Sequence, residues 1–294
     1  MGVLPLLPGS GDDDNSLRYR LPKATAEVLA DPHHSQYDIG MIQLVPSLVD
    51  RSKAMLPRAF DTGLGRAYDD EDISAAIDRH HFKLVHNVFI PKVLLPVLDG
   101  AVANLLEKGC NVADLGCGAG VLLRALAKAY PRSTFHGFEV SKQALQRAAF
   151  EIASAHLTNI TIHDATKSGE SLGDFENAFD LVLTLDVLHD CPFPDDLIGQ
   201  VKTAVKPQDG VWLLADIASL PTLRENIQSP GGALMLAFSN CLCMSCALSV
   251  DGGAGLGTLG FSVPVARKMI VEEGGFQSIK IILEEEETRF FLVQ

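Results

Sequence analysis

Three stretches of this sequence hold residue types that could do chemistry, at spacings that make the chemistry plausible. Phe179-Asp180-Leu181-Val182-Leu183-Thr184-Leu185 is an apolar run that ends in Asp186-Val187-Leu188-His189-Asp190, two carboxylates flanking an imidazole. If the run is a buried strand, Asp186 to Asp190 lie just outside its carboxyl end, where open α/β sheets bind ligands. Val112-Ala113-Asp114-Leu115-Gly116-Cys117-Gly118-Ala119-Gly120 places three glycines at alternate positions, followed by an amphipathic stretch from Val121 to Tyr130. Strand, glycine turn and helix bring a bare backbone and free helical N–H groups against a ligand. Phe135-His136-Gly137-Phe138-Glu139 ends in an acid 19 residues after Gly120, the distance at which a second strand delivers a carboxylate to ribose hydroxyls. Ser141 can cap the helix that follows.

The glycine spacing is not the dinucleotide fingerprint, because Val121 occupies the place of its third glycine. A nicotinamide oxidoreductase is disfavoured on that ground. Asp114-x-Gly116-x-Gly118-x-Gly120 instead resembles motif I of the class I S-adenosylmethionine methyltransferases. Ile160-Thr161-Ile162-His163-Asp164 is then similar to a third strand whose terminal acid meets the adenine. Asp-x-Leu-His-Asp at 186–190, followed by Pro and acidic residues, resembles motif IV of plant-type and bacterial O-methyltransferases. Lys206-Pro207-Gln208-Asp209-Gly210 and the strand to Asp216 resemble the segment that follows it. The resemblance runs over the C-terminal two thirds. It implies S-adenosylmethionine as cofactor and S-adenosylhomocysteine as product. Asp114, Gly116, Gly118, Gly120, Glu139, Asp164 and Asp186 would line the cofactor site, and no metal is implied. His189 would be the general base, a role suited to an imidazole that titrates near 6.5, with Asp190 as its catalytic neighbour. Either Asp190 or Asp216 could hold its tautomer.

The elements that must position these residues follow from periodicity. From Cys110 onward, strand-like segments (110–115, 133–138, 159–163, 179–185, 210–217) alternate with helical ones (121–130, 141–156, 193–205), which predicts a parallel sheet covered on both faces. Ser278 to Glu284 and Thr288 to Val293 read as two strands about an acidic turn. The expected fold is therefore α/β: a Rossmann-like seven-stranded sheet, mostly parallel with the last strand antiparallel, carrying an N-terminal helical cap. Residues 1–107 form the cap region and 108–294 the S-adenosylmethionine-binding domain, with a helical insertion at 231–250. Within the cap region, Leu17 to Leu21 reads as a strand and Pro22 to Ala30 as a helix, a pair that resembles the wing and last helix of the winged-helix domain preceding many small-molecule methyltransferases. Here it is incomplete, since the chain begins at the wing. Helices follow at 36–56 (broken or kinked near Pro46), 72–90 and 91–107, with a loop at 57–70. In the resembled proteins this region closes the pocket and builds a homodimer through its helices.

Composition limits the partners. The chain has 294 residues, 47% hydrophobic and 21% charged, and a net charge of −13 with no run of more than two basic residues. A nucleic-acid substrate is not expected of such a surface. No apolar run is long enough to span a bilayer, and Leu6 breaks the myristoylation motif that Met1-Gly2 begins. Six cysteines without a secretory signal point to reduced thiols in the cytoplasm. Cys241-x-Cys243-x-x-Cys246 reads as buried thiols on a core helix rather than a metal site. His80, His81 and His86 are not spaced to place two ligands on one helix face, and are expected to be partly exposed, one lining the pocket with Phe82 and Phe89. Gly252 to Gly257 resembles a loop of small-molecule methyltransferases. The function implied is methyl transfer to a small-molecule acceptor, most readily at a hydroxyl and less readily at nitrogen. The competing reading is a catalytically weak or inactive methyltransferase-like protein that binds S-adenosylmethionine and a partner.

Overall fold

A computed structural model describes residues 21–31, 34, 37–285 and 287–294. Seven strands form one sheet in the order β3-β2-β1-β4-β5-β7-β6: β1 Asn111–Leu115, β2 Thr134–Glu139, β3 Ile160–Asp164, β4 Leu181–Leu185, β5 Val211–Ile217, β6 Ile279–Glu285 and β7 Thr288–Val293. Every pairing is parallel except those of β7, which runs antiparallel to both β5 and β6. The predicted sheet, including its reversed last strand, is thus present. β4 and β5 are central and covered on both faces, which is why they read as continuous apolar runs rather than alternating ones. Leu181, Leu183, Val211 and Leu213 face one core layer; Val182, Trp212 and Leu214 face the other. Trp212 is fully buried, and its indole N–H donates to Thr184 Oγ1 at 2.9 Å. One partner thus pays the desolvation of both polar groups.

The helices of the sheet domain are α5 Val121–Ala129, α6 Lys142–Ser154 and α7 Pro194–Ala204. Ser141 caps α6 through Ala144 N at 3.3 Å, as its sequence position predicts. The insertion is α8 Leu223–Gln228, α9 Gly232–Phe238, a π-helical turn Ser239–Cys243 and α10 Met244–Ala247. A last helix, α11 Val263–Arg267, continues in π-helical geometry through Lys268–Glu273.

The cap comprises α1 Lys23–Ala30, α2 Ile39–Thr62, α3 Glu71–Lys83 extended by a π-helical segment Leu84–Leu94, a short 3₁₀ turn Val97–Gly100 and α4 Ala101–Lys108. The wing-like strand 17–21 lies, apart from Leu21, outside the described residues. Two expectations are corrected here. α2 passes through both Pro46 and Pro57 without breaking, so residues 57–62 are helix rather than loop. Both prolines lie on the exposed face, where the carbonyls they free can turn to water. Leu44, Leu48, Arg51, Ser52 and Met55 bury the opposite face and hold the helix continuous. Likewise α3 and its π extension reach Leu94, past the boundary expected at Pro91.

Arg51 fastens the cap to the insertion. It is 3% exposed, and its guanidinium donates to Asp70, to the carbonyls of Arg66 and Ala67, and to Ser245 Oγ on α10. Beside it, Arg66 N donates to Ser245 O at 3.1 Å and Gly65 N to Leu248 O at 2.9 Å. Among the described residues no single helix is long and apolar enough to cross a membrane.

Candidate active site

The glycine turn, the ends of β2 and β4, the cap and the insertion enclose one cavity of about 240 Å3. Its floor is the turn itself. Gly116 has φ +71, and a Cβ there would lie 2.6 Å from Val187 Cγ2, so the turn closes against the end of β4 only with glycine in place. Asp114 is buried beneath it. Burial first, and the Glu139 charge second, push its carboxyl up to about 8. Glu139 is 8% exposed and serves the turn as well as the cavity: Oε2 accepts from Gly118 N at 2.9 Å, and Oε1 from Val140 N and Ser141 N at 2.8 Å each. Burial raises its pKa, and these three bonds pull against that rise.

The end of β4 and the segment after it carry a titratable cluster in the same cavity. His189 is 2% exposed and donates from Nδ1 to Asp216 Oδ1 at 2.8 Å; Asp216 Oδ1 also accepts from Ile217 N at 2.7 Å. Asp216, not Asp190, therefore holds the imidazole. Burial alone would lower the His189 pKa, but the Asp216 carboxylate and the Cys243 thiol outweigh it and the pKa is raised. Asp190 lies in the cavity with its carboxyl pushed up to about 7, by burial first and against the pull of His189. Asp186 turns off β4 at φ +62. Its Oδ2 accepts from His81 Nε2 at 3.1 Å, and its Oδ1 is 3.6 Å from His189 Nδ1. Burial opposes ionisation of Asp186, yet His81, His189 and His80 hold its carboxyl well below the usual range. Asp186, His189 and Asp216 offer ligand atoms within 4.8 Å of one another, a group able to hold a cation, although the imidazole nitrogen concerned is engaged by Asp216.

The structure brings Asp114, Gly116, Gly118, Glu139, Asp186, His189 and Asp190 to this one cavity. Gly120 closes the turn at φ +74 without lining it. Asp164 is not brought there. Its carboxylate accepts from Thr166 Oγ1 at 2.6 Å and pairs with Lys167 at 3.3 Å, a turn cap at the end of β3 whose pKa the Thr166 hydroxyl lowers. His80 and His81 line the cavity, where one of His80, His81 and His86 was expected, and Asp78, Tyr68, Cys243 and Thr258 line it without having been singled out for it. A signal for part of this set exists. Ser74, Ile77, Asp78, His81 and Val85 recur at helical spacing, one face of α3 and its extension. Asp78 reaches the glycine turn, accepting from Ala119 N at 3.3 Å and pairing with Arg147 of α6. Of the aromatic residues expected beside the histidines, Phe89 is instead fully buried in the core and Phe82 lines a separate surface pocket. The thiols of Cys241 and Cys243 are only partly buried, and Cys246 alone of the three is buried.

The buried acid under the turn yields a prediction. The unfolded Asp114 carboxyl titrates near about 4, whereas the folded one titrates at about 8. A raised pKa contributes stability that is full below pH 4 and lost as pH rises to 8. Asp114→Asn should therefore flatten the fall in stability across that window, the two curves separating by up to about 1.4 kcal/mol per pH unit. Urea unfolding of both proteins at pH 5 and pH 8 measures it; parallel curves would refute the assignment.

A family model described as a methyltransferase domain matches residues 106–281. Among curated proteins, a ubiquinone biosynthesis O-methyltransferase of Haemophilus ducreyi is 34% identical over 116 residues, 37% of this chain and 46% of that protein. One of Paraburkholderia phymatum is 29% identical over 124 residues, 41% of this chain and 47% of that protein. The chain thus spans about half the length of the curated relatives it matches. An O-methyltransferase family protein from Burkholderia thailandensis has a similar fold, with a TM-score of 0.65 at 17% identity over 96% of this chain and 79% of that one. Human N-acetylserotonin methyltransferase, solved with S-adenosylmethionine, has a TM-score of 0.58 at 16% identity over 99% of this chain and 78% of its own.

Proposed function

We propose, on the premise that this chain belongs to the methyltransferase-domain family, that it transfers a methyl group from S-adenosylmethionine to a hydroxyl of a small molecule, with His189 as general base. The observation that carries the reading is the buried His189–Asp216 pair opening into the same cavity as the glycine turn and Glu139. The residues present fit the donor. Glu139 is a buried acid at the strand end where such a carboxylate takes ribose hydroxyls. The turn presents backbone rather than side chains to the cavity at Gly116 and Gly118.

Bound there, S-adenosylmethionine supplies a methyl group already activated by its sulfonium charge. What remains for the chain is alignment and exclusion of water. The cap and insertion provide the cover: Met41, Leu44 and Ile77 from one side, Met235, Phe238 and Leu242 from the other. That apolar lining suits an apolar or aromatic acceptor carrying a hydroxyl. His189 takes the hydroxyl proton at Nε2, while Asp216 holds Nδ1 and balances the imidazolium that forms. The names of the curated relatives also favour oxygen as the acceptor atom.

The test has two arms. Calorimetry should find binding of S-adenosylhomocysteine and none of NAD, and binding of NAD alone would overturn the reading. With S-adenosylmethionine deuterated in its methyl group, a panel of phenols, alcohols, amines and thiols should show label on oxygen. Cofactor binding without transfer to any of them would remove the enzymatic half.

A further inference from the structure

One carboxylate of the cavity belongs neither to the cofactor contacts nor to the base described above. Asp78 stands on α3, and among the described residues it is the only acid of the cap helices that lines the cavity. Its Oδ1 accepts from Ala119 N at 3.3 Å, and its Oδ2 pairs with Arg147 of α6. Arg147 also donates to Ser74 Oγ at 2.7 Å, one turn earlier on α3, so the carboxylate is held in place from two sides. Gly118 makes room for it: φ there is +56, and a Cβ would lie 2.9 Å from Asp78 Oδ1. These bonds leave part of the carboxylate's roughly four acceptor sites free. The neighbouring acids are engaged in other ways. Glu139 gives its oxygens to three backbone amides, Asp186 is bonded to His81, and Asp114 is buried beneath the turn.

We propose that Asp78 binds the α-ammonium of S-adenosylmethionine and so makes the cap part of the cofactor site. The inference rests on the methyl-transfer reading. In that reading the sulfonium sulfur carries three arms. The adenosyl arm has its ribose at Glu139, and the methyl arm faces His189. The third arm bears the ammonium and the carboxylate, and the glycine turn is the surface left to it. Gly116 packs on Val187 just after β4, and Gly118 N bonds to Glu139 at the end of β2, so the turn spans the space between the other two arms. Asp78 meets the turn there, at Gly118 and Ala119. An ammonium donating to a carboxylate makes a charge-assisted bond, stronger than a neutral one. Asp78 therefore sets donor specificity: the complete cofactor gains this bond, and an adenosine thioether without the amino-acid arm does not.

The experiment is calorimetric titration of the full chain with two ligands. One is S-adenosylhomocysteine. The other is methylthioadenosine, which keeps the adenosine and the sulfur but has a methyl group in place of the amino-acid arm. Asp78→Asn retains an acceptor for Ala119 N and removes the charge. It should weaken S-adenosylhomocysteine roughly 10- to 100-fold and leave methylthioadenosine nearly unchanged. Equal losses for the two ligands would mark a residue that only shapes the turn, and no loss for either would mark an idle one. Both results overturn the proposal. A second comparison needs no variant to fold. In the unaltered protein, S-adenosylhomocysteine lacking its α-ammonium should bind more weakly than the parent ligand, and more weakly than the analogue lacking only its carboxylate; the reverse order overturns the assignment. A protein that never binds S-adenosylhomocysteine refutes the methyl-transfer reading and this inference with it. One that binds it without regard to the ammonium leaves that reading standing and removes Asp78 alone.

Discussion

His189→Ala lowers the rate of methyl transfer by roughly 10² to 10⁴, and S-adenosylhomocysteine still binds. The size follows from what the side chain supplies. A hydroxyl acceptor must lose its proton as the new bond forms, and His189 Nε2 is the nitrogen that Asp216 leaves available. The proposed cofactor contacts, at the turn and Glu139, do not pass through the imidazole. Loss of binding together with turnover would point to a structural histidine instead. The unaltered enzyme carries a second signature. The imidazole must be neutral to act, and its pKa is raised above the ordinary value by Asp216 and Cys243. kcat/KM should accordingly rise with pH, with its midpoint above that of a free imidazole. Asp216→Asn should move that limb back toward acid. A limb that stays put would separate Asp216 from the base. Circular dichroism of each variant is part of the measurement, because removing the imidazole leaves the Asp216 carboxylate buried without its counterpart.

Glu139→Ala should weaken S-adenosylhomocysteine by about 10²-fold or more and lower stability as well. Two losses coincide at this residue. The carboxylate available to the ribose disappears, and the N–H groups of Gly118, Val140 and Ser141 lose their acceptor. Each stranded buried donor costs about 1–3 kcal/mol where water cannot replace the bond. Glu139→Gln separates the two effects, since an amide keeps one acceptor oxygen and the shape. It should recover most of the stability and only part of the affinity. An alanine variant that binds as tightly as the parent would rule out the ribose role. Calorimetric titration and thermal unfolding give the two numbers independently.

Parts of the fold and site were legible from the chain because local pattern determines them. β4 and β5 are buried on both faces, so their apolar runs could be nothing else in a chain alternating with helices. The glycine turn and Glu139 keep their spacing because strand, turn and helix have set lengths. α2 was misread at its prolines, since whether a proline breaks a helix depends on whether its lost bond faces water, and one residue does not disclose its face. Asp164 ends β3 as its sequence position indicates, and the local bond that it makes to the Thr166 hydroxyl could not be told from the strand pattern. The cap's chemistry was the least legible. His81 meets Asp186 across 105 positions and Asp78 meets Ala119 across 41, pairings that only the folded arrangement creates. The helical stripe on α3 indicated a covered face without saying what covered it.

The Arg51 junction also bears on the order in which the molecule can be completed. Its guanidinium reaches Ser245, 194 positions later in the chain. During synthesis at about 5–20 residues per second, roughly 10–40 s separate the appearance of the two partners. Throughout that interval the apolar face of α2 has neither Leu242 nor Cys246 to cover it, and Arg51 lacks its bond to Ser245. The N-terminal helices are thus made first and covered late. The five parallel strands can pair before the lid has anything to close upon, and β6 and β7 complete the sheet only after both. A ribosome-stalled chain ending near residue 230 should consequently expose α2 to protease and carry an already protected core around β1 and β4.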